Sequence, residues 1–211
     1  MPLQNRVSPY GEIVAVPERG TMLGNRGILH DEHQHLVRTS QVRRWLTCVL
    51  EFKGIRRTVM SPHRYTELFF LDEATALSAG HRPCCECRRE DYRRFQVCWQ
   101  QAFGVRPGAD EMDSRLQQDR RLRGRKVTYQ DRLADLPDGT FFERAGQPGQ
   151  AWLRHDGGAL LWSPGGYLRR EPPGDGTVTV TVLTPRATVA LLRAGYQPLL
   201  HHSAYPVDQP A

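Results

Sequence analysis

Two cysteines separated by two residues form the clearest chemical motif in this chain. Cys84 and Cys87 lie in the run Gly-His-Arg-Pro-Cys-Cys-Glu-Cys-Arg-Arg, residues 80–89. A tight turn between such cysteines can direct both sulfurs at one tetrahedral metal ion. The same spacing occurs in redox-active dithiols, and two ordinary thiols are a third interpretation. Zinc is the preferred interpretation, and it requires two further ligands.

A second polar cluster contains the histidines His30, His33 and His35, with Asp31 and Glu32 between them. On a strand, His33 and His35 would share one side, and a neighbouring carboxylate could orient one of the rings. Such a group could carry out metal-dependent or acid/base hydrolysis, for example of nucleic acid. The spacing matches no metalloenzyme motif, and a polar loop is the preferred alternative.

A basic run near the middle of the chain is the candidate nucleic-acid-binding segment. Its positive residues are Arg120, Arg121, Arg123, Arg125 and Lys126. Five positive charges near a helix end can neutralise several phosphates. A solvated helix face is the alternative interpretation.

Composition and charge give a broad expectation of the partner and the compartment. The 211 residues carry a formal net charge of +6, which favours an anionic partner such as DNA or RNA. Only Lys53 and Lys126 are lysines among the 29 Lys and Arg residues, a bias that a GC-rich genome alone can produce. Five cysteines do not form the even set of a secreted disulfide scaffold. With no signal peptide or membrane helix in the sequence, a cytoplasmic protein is expected.

The elements before and after the cysteine pair have recognisable patterns. Apolar alternation predicts strands, Asp72 is a predicted N-cap, and Gly80 is the predicted end of the helix that follows. Aromatic residues spaced along one face predict a longer helix after the pair, and Gly104 is its predicted end. The predicted elements are strands at 42–52, 55–60 and 65–71 and helices at 73–79 and 88–103.

Proline and glycine residues divide the rest of the chain into short segments. A polar helix at 109–123 is predicted to connect two parts. Short extended segments beyond it predict a β-rich half with a closing helix at 186–193 and a loose tail at 196–211. Trp152, Trp162 and Tyr167 are interpreted as core residues of that half, with base stacking as the alternative. The expected fold class is α+β. The expected domains are 1–105, a connector at 106–126, and 127–211.

The run Ala-Gly-His-Arg-Pro-Cys-x-x-Cys at 79–87 follows a strand and a short helix. It resembles the zinc-binding domain of the Ada family of DNA methylphosphotriester repair proteins, over residues 66–88. The resemblance implies a small zinc-stabilised α+β module that contacts nucleic acid. In that family four cysteines bind zinc, and an upstream one accepts the methyl group. Residues 53–64 contain no cysteine, so the methyl-accepting activity is not carried over.

The resemblance also suggests candidates for the two missing zinc ligands. His63 falls where the family's upstream pair would lie, and His81 is inside the matching run. Neutral imidazole is an ordinary zinc ligand, so the predicted set is Cys84, Cys87, His63 and His81. Cys48 and Cys98 lie on apolar faces and are interpreted as small buried residues, with ligation as the alternative.

The whole chain also resembles a family of bacterial proteins that share the run Arg-Tyr-Thr-Glu-Leu-Phe-Phe-Leu-Asp-Glu-Ala-Thr at 64–75. That resemblance implies no activity. The preferred function is a zinc-stabilised nucleic-acid-binding protein. The alternatives are a hydrolase that uses the cluster at 30–35 and a structural zinc protein that binds a protein partner.

Overall fold

The computed structural model describes residues 1–54, 58–172 and 174–205. Within these residues the chain forms two six-stranded sheets, one two-stranded hairpin and four α-helices. The predicted α+β class is confirmed. A helix, α4 (Arg186–Arg193), follows the last strand, with the same bounds as the predicted closing helix.

The first sheet is built from short strands of the amino-terminal half. They are β1 (Gln4–Val7), β2 (Ile13–Ala15), β3 (Met22–Asn25), β4 (Leu46–Cys48), β5 (Leu68–Phe70) and β6 (Arg82–Pro83). Their order in the sheet is β2-β1-β5-β3-β4-β6, and β4 pairs with β6 in parallel. Strands β3 and β4 approach closely at Gly24, where a Cβ atom would lie 2.3 Å from the carbonyl oxygen of Leu46.

The observed strands are shorter than the predicted ones. The strand predicted at 42–52 is observed only as β4, and the strand predicted at 65–71 only as β5. Of the predicted strand at 55–60, residues 55–57 lie outside the described residues, and residues 58–60 are not in a strand. Residues 53 and 54 both have positive φ angles and form a turn after this segment.

Helix α1 (Glu73–Ser78) lies inside the molecule. All six of its residues are buried. The Asp72 carboxylate caps its start by accepting a hydrogen bond from the Thr75 N–H at 2.9 Å, as the sequence predicts. Gly80 follows the helix with φ of +90°, and a Cβ atom there would lie 2.6 Å from Cδ of Arg120. Glycine is therefore required both by the backbone conformation and by the packing.

Helices α2 (Arg89–Phe103) and α3 (Ala109–Arg120) both pack against α4. The polar helix predicted to reach residue 123 ends at Arg120 instead. The next residues form a hairpin from β7 (Arg121–Leu122) and β8 (Arg125–Lys126). Its turn has positive φ at Arg123 and Gly124, which a helix cannot accommodate.

The second sheet confirms that the carboxyl-terminal half is rich in strands. They are β9 (Tyr129–Arg132), β10 (Phe141–Glu143), β11 (Ala151–His155), β12 (Gly158–Ser163), β13 (Gly166–Glu171) and β14 (Thr179–Val182), in the order β13-β12-β11-β10-β14-β9. Strand β13 was not predicted, because Arg169 and Arg170 interrupt its apolar pattern. Trp152 and Tyr167 are buried, and Trp162 is half-buried. These aromatic residues pack in the core, in agreement with the interpretation preferred from the sequence.

The two halves share apolar cores. One cluster combines Leu77, Phe95 and Trp99 from the first half with Leu191 and Tyr196 from the second. Another joins α1 to the second sheet. The predicted division into domains stays a prediction, and the apolar packing is continuous across it.

Residues 196–205 are packed rather than loose. The hydroxyl of Tyr196 donates to Oε1 of Glu73 at 2.7 Å, and the Leu199 N–H donates to Oε2 of the same carboxylate at 2.9 Å. The His201 N–H donates to Oδ2 of Asp72 at 3.1 Å. Asp72 and Glu73, the N-cap and the first residue of α1, therefore hold the segment that follows α4. The prediction of a loose tail was wrong for residues 196–205, because the apolar pattern of the sequence does not show these polar contacts. The rest of the predicted tail, 206–211, lies outside the described residues.

Candidate metal centre

Three cysteine sulfurs meet at one end of the first sheet. The Sγ atoms of Cys48, Cys84 and Cys87 all lie within 4.8 Å of one another. Cys48 is the last residue of β4, and Cys84 directly follows β6. Since these strands run parallel, with Thr47 opposite Pro83, their ends lie side by side. The Cys84 N–H donates to the Thr47 carbonyl at 2.9 Å. This group could hold a metal ion.

Main-chain hydrogen bonds shape the turn between Cys84 and Cys87. The Glu86 N–H donates to Sγ of Cys84 at 3.4 Å. The Arg88 N–H donates to the Cys84 carbonyl at 3.2 Å, and α2 begins at the next residue. Hydrogen bonds donated to a sulfur favour its charged form. The turn therefore suits a thiolate, which is the form of cysteine that binds metals.

The three thiols also interact with one another. Hydrogen bonds with Cys48 and then with Cys87 lower the pKa of Cys84, while the hydrogen bond to Cys84 raises the pKa of Cys48. Without an ion the group therefore favours one thiolate, at Cys84, with thiol donors beside it. A metal ion would replace the remaining thiol protons, as thiolate coordination requires.

Three sulfurs leave one position of a tetrahedral ion open. Among the described residues, no further Cys, His, Asp or Glu belongs to the group. A structural zinc ion normally has four protein ligands, and three protein ligands with one open position are typical of zinc that also binds an exchangeable ligand. Cys84 is buried, and Cys48 and Cys87 are half-buried. The group therefore lies at the edge of the core, where a small fourth ligand can approach.

The two predicted histidine ligands lie outside this group. His81 is fully buried, and both of its ring nitrogens have partners: Nδ1 lies 2.9 Å from the Leu46 carbonyl oxygen and Nε2 lies 3.0 Å from Nε of Arg26. His63 lies on the surface, with Nε2 3.6 Å from Oε1 of Glu32. The structure brings neither histidine to the cysteine pair.

Of the other cysteines, only Cys48 joins the pair. Cys85 is exposed, and Cys98 is buried in an apolar cluster of α2. The apolar-face interpretation of Cys98 agrees with this position. For Cys48 the less favoured alternative of ligation agrees better, because the parallel pairing of β4 and β6 brings its sulfur to the pair. The only sequence signal for this was a cysteine within a predicted strand, on its apolar face.

The histidine cluster at 30–35 lies in a loop that is held by hydrogen bonds. His30 is buried, with Nδ1 2.6 Å from the Thr66 hydroxyl and Nε2 3.1 Å from the Ser61 carbonyl oxygen. The Asp31 carboxylate accepts the N–H groups of His33 and His35, each at 2.9 Å. These bonds lower the pKa of Asp31, and the His35 N–H makes the largest contribution. The polar-loop interpretation accounts for these contacts.

The basic run is divided between the interior and the surface. Arg120 is 1% exposed, and its Nη1 donates to the Gly80 carbonyl at 2.9 Å. Lys126 donates from Nζ to the Ser78 carbonyl at 2.7 Å. Arg123 and Arg125 are exposed, and Arg121 is half-buried. Arg120 is therefore not available to a phosphate at the surface, because its guanidinium is enclosed by protein.

Comparison with protein-family models, with curated proteins and with solved structures finds no match to this chain. Among the described residues, no helix is both long and apolar enough to cross a membrane.

Proposed function

We propose that this protein binds one Zn²⁺ ion through the thiolates of Cys48, Cys84 and Cys87. The observation that carries the proposal is the mutual approach of three sulfurs within 4.8 Å. Zinc bonds to thiolate sulfur at about 2.3 Å in a tetrahedron, so sulfurs at this spacing can share one ion. Thiolate ligands favour zinc, Cu(I) and iron–sulfur clusters over magnesium or calcium. Bound zinc would tie β4 to the turn that starts α2.

The test is the metal content of the purified chain and of five single variants. We expect about one zinc per chain, and we expect Cys48→Ser, Cys84→Ser and Cys87→Ser each to lose most of it. Cys85→Ser and Cys98→Ser are matched controls, one exposed beside the pair and one buried in α2. Both should retain the metal. Wild-type protein without stoichiometric metal, or equal retention by all five variants, would contradict the proposal.

A nucleic-acid partner is the second part of the proposal, and exposed arginines of the hairpin support it. Arg123 lies in the turn of the hairpin, Arg125 directly follows the turn, and both are exposed. In the described part of the chain, neither has a carboxylate oxygen within 4.0 Å. Exposed, unpaired arginines can bind phosphates and release counterions. In this arrangement zinc stabilises the first sheet, and the hairpin binds the nucleic-acid backbone.

The salt dependence of oligonucleotide binding tests this part. Arg123→Ser combined with Arg125→Ser should reduce the slope of log affinity against log salt by about 0.7–0.9 for each phosphate that the variant no longer neutralises. Arg38→Ser combined with Arg64→Ser removes the same charge from other exposed positions and is the control. An equal loss of affinity in both double variants would show that only overall charge matters and would contradict a hairpin interface.

A further inference from the structure

A cavity of about 390 Å³ lies beside the second sheet. Its walls come from the turn before β10, the end of β11, the end of α4 and the segment that follows α4. Neither the three cysteines nor the hairpin of β7 and β8 lines it. Binding sites for small organic molecules usually have volumes of about 300–1,000 Å³. The cavity is therefore large enough for one small ligand.

Part of the lining is apolar. It includes Leu192, Pro198 and Leu200. Gly139 packs closely against two of these side chains, since a Cβ atom there would lie 2.9 Å from Cγ of Pro198 and 3.1 Å from Cδ2 of Leu192. Packed residues thus form this wall before any ligand binds. Such a wall suits the apolar faces of a flat ring.

His155 brings an imidazole to the cavity. It lies two residues after Leu153 in β11, so both side chains are on the same face of the sheet. Leu153 packs in one apolar cluster with Leu200, which also lines the cavity. The edge-to-face contact between the rings of His155 and Tyr205 has centroids 5.7 Å apart. Among the described residues, neither ring nitrogen of His155 has a hydrogen-bond partner.

Asp138 places a carboxylate beside this histidine. Its Oδ2 atom accepts the N–H of Asp156, the residue after His155, at 2.8 Å. In the described part of the chain, its Oδ1 atom has no hydrogen-bond partner. Burial and then the charge of Arg170 lower the pKa of His155, so at neutral pH its imidazole offers one donor and one acceptor nitrogen. A free carboxylate oxygen and a neutral imidazole therefore adjoin the same cavity.

We propose that this cavity binds a nucleobase whose amino group adjoins an unprotonated ring nitrogen, as in adenine and cytosine. Oδ1 of Asp138 accepts from the amino group, and the imidazole N–H of His155 donates to the ring nitrogen. Polar side chains read such donor and acceptor pairs on the edges of bases. In hypoxanthine and uracil a carbonyl replaces the amino group and the ring nitrogen carries a proton. The Asp138 carboxylate would then face a second acceptor, which is unfavourable.

The NMR signals of the eight histidines report on the site directly. The imidazole signal of His155 is assigned by its loss in His155→Gln. Adenosine should shift this signal and leave that of His63, on the surface, unchanged. Inosine should bind more weakly by roughly tenfold or more, the effect of an unpaired polar group. If adenosine does not shift the His155 signal, or if both nucleosides bind equally, the proposal is overturned.

Asp138→Asn tests the geometry by reversing the preference. The Asp156 N–H already binds one carboxylate oxygen, so the amide oxygen takes that place and the amide NH₂ replaces the free oxygen. Inosine, whose carbonyl accepts from this NH₂, should then bind more tightly than adenosine. Asp110→Asn changes an exposed carboxylate of α3 and should keep the preference for adenosine. A preference for adenosine that persists in Asp138→Asn would refute the contact between Asp138 and the base.

A single-stranded oligoadenylate identifies the source of the base. If it shifts the His155 signal as adenosine does, the site also accepts a base within a strand. If only adenosine shifts the signal, the ligand is a free nucleoside. Both results support a nucleobase site. Metal content and the salt dependence of the hairpin variants are separate measurements, so the zinc and hairpin proposals can fail while this site stands.

Discussion

The side chain of Lys126 binds the carbonyl of Ser78 at the carboxyl-terminal end of α1, which lies far from it in the sequence. Its Nζ atom donates to the Ser78 carbonyl at 2.7 Å, in the last turn of α1. That turn contains no basic residue of its own, and Arg120 donates to the nearby Gly80 carbonyl. Side-chain N–H donors at this position satisfy carbonyl groups that the end of a helix leaves free. Part of the basic run therefore has a structural role.

The position of Lys126 predicts a pH dependence of stability. Its pKa is lowered from 10.5 to about 7 in the folded protein, so between these values the unfolded chain binds more protons than the folded one. The free energy of unfolding should therefore rise with pH across this window. Lys126→Met should reduce this slope, as measured by urea denaturation from pH 7 upward. Lys53→Met is the control, and an unchanged slope in Lys126→Met would contradict the prediction.

A buried ion pair between β6 and α3 should contribute strongly to stability. Nε and Nη2 of Arg82 donate to the two oxygens of Asp113, both at 2.8 Å. Asp113→Ala would leave a buried guanidinium without its anion, which costs about 3–5 kcal/mol. Asp110→Ala, an exposed change in the same helix, should cost less than about 1 kcal/mol. Urea denaturation of both variants measures the difference, and similar losses of stability would contradict it.

The sequence predicted those features that depend on local patterns. Asp72 and Gly80 correctly marked the two ends of α1, and Gly104 follows α2 in the left-handed conformation. The closing helix was predicted with correct bounds. Each of these signals acts over a few residues, through a cap, a dihedral angle or a helical repeat.

The third cysteine of the group could not be placed from local patterns. Cys48 comes close to Cys84 because β4 and β6 pair in parallel across a long segment that contains β5 and α1. Alternation along the strand indicated only that Cys48 faces an apolar side. The positions of Arg120 and Lys126 could not be predicted from local patterns either, because their partners are the main-chain carbonyls of Gly80 and Ser78. A run of charges does not show which of its side chains will be buried by hydrogen bonds to such carbonyls.

The hydroxyl of Tyr196 should help to hold the segment after α4. It donates to the buried Glu73 carboxylate at 2.7 Å, which also lies 2.8 Å from Nη2 of Arg88. Burial and then the charge of Glu73 raise the pKa of Tyr196. Tyr196→Phe removes this hydrogen bond and should cost about 1.5–3 kcal/mol.

Tyr205→Phe is the matched control, because Tyr205 is 51% exposed. Thermal and urea denaturation should show little change for it. Amide hydrogen exchange at residues 196–205 gives a local measurement, and faster exchange in Tyr196→Phe alone is expected. Unchanged exchange in that variant would show that the apolar packing of the segment is sufficient.

Removal of zinc should lower the melting temperature reversibly. A ligand that binds only the folded state stabilises it by about 4 kcal/mol at a free concentration a thousand times its Kd. For a chain of this size that corresponds to a shift of about 8–16 °C. Chelation should cause this shift in the wild type and in Cys98→Ser, and added Zn²⁺ should reverse it. Cys48→Ser should melt at the lower temperature with or without chelator, because the ion has lost the ligand that joins β4 to the turn. A chelator effect of the same size in Cys48→Ser would place the stabilising ion elsewhere in the protein.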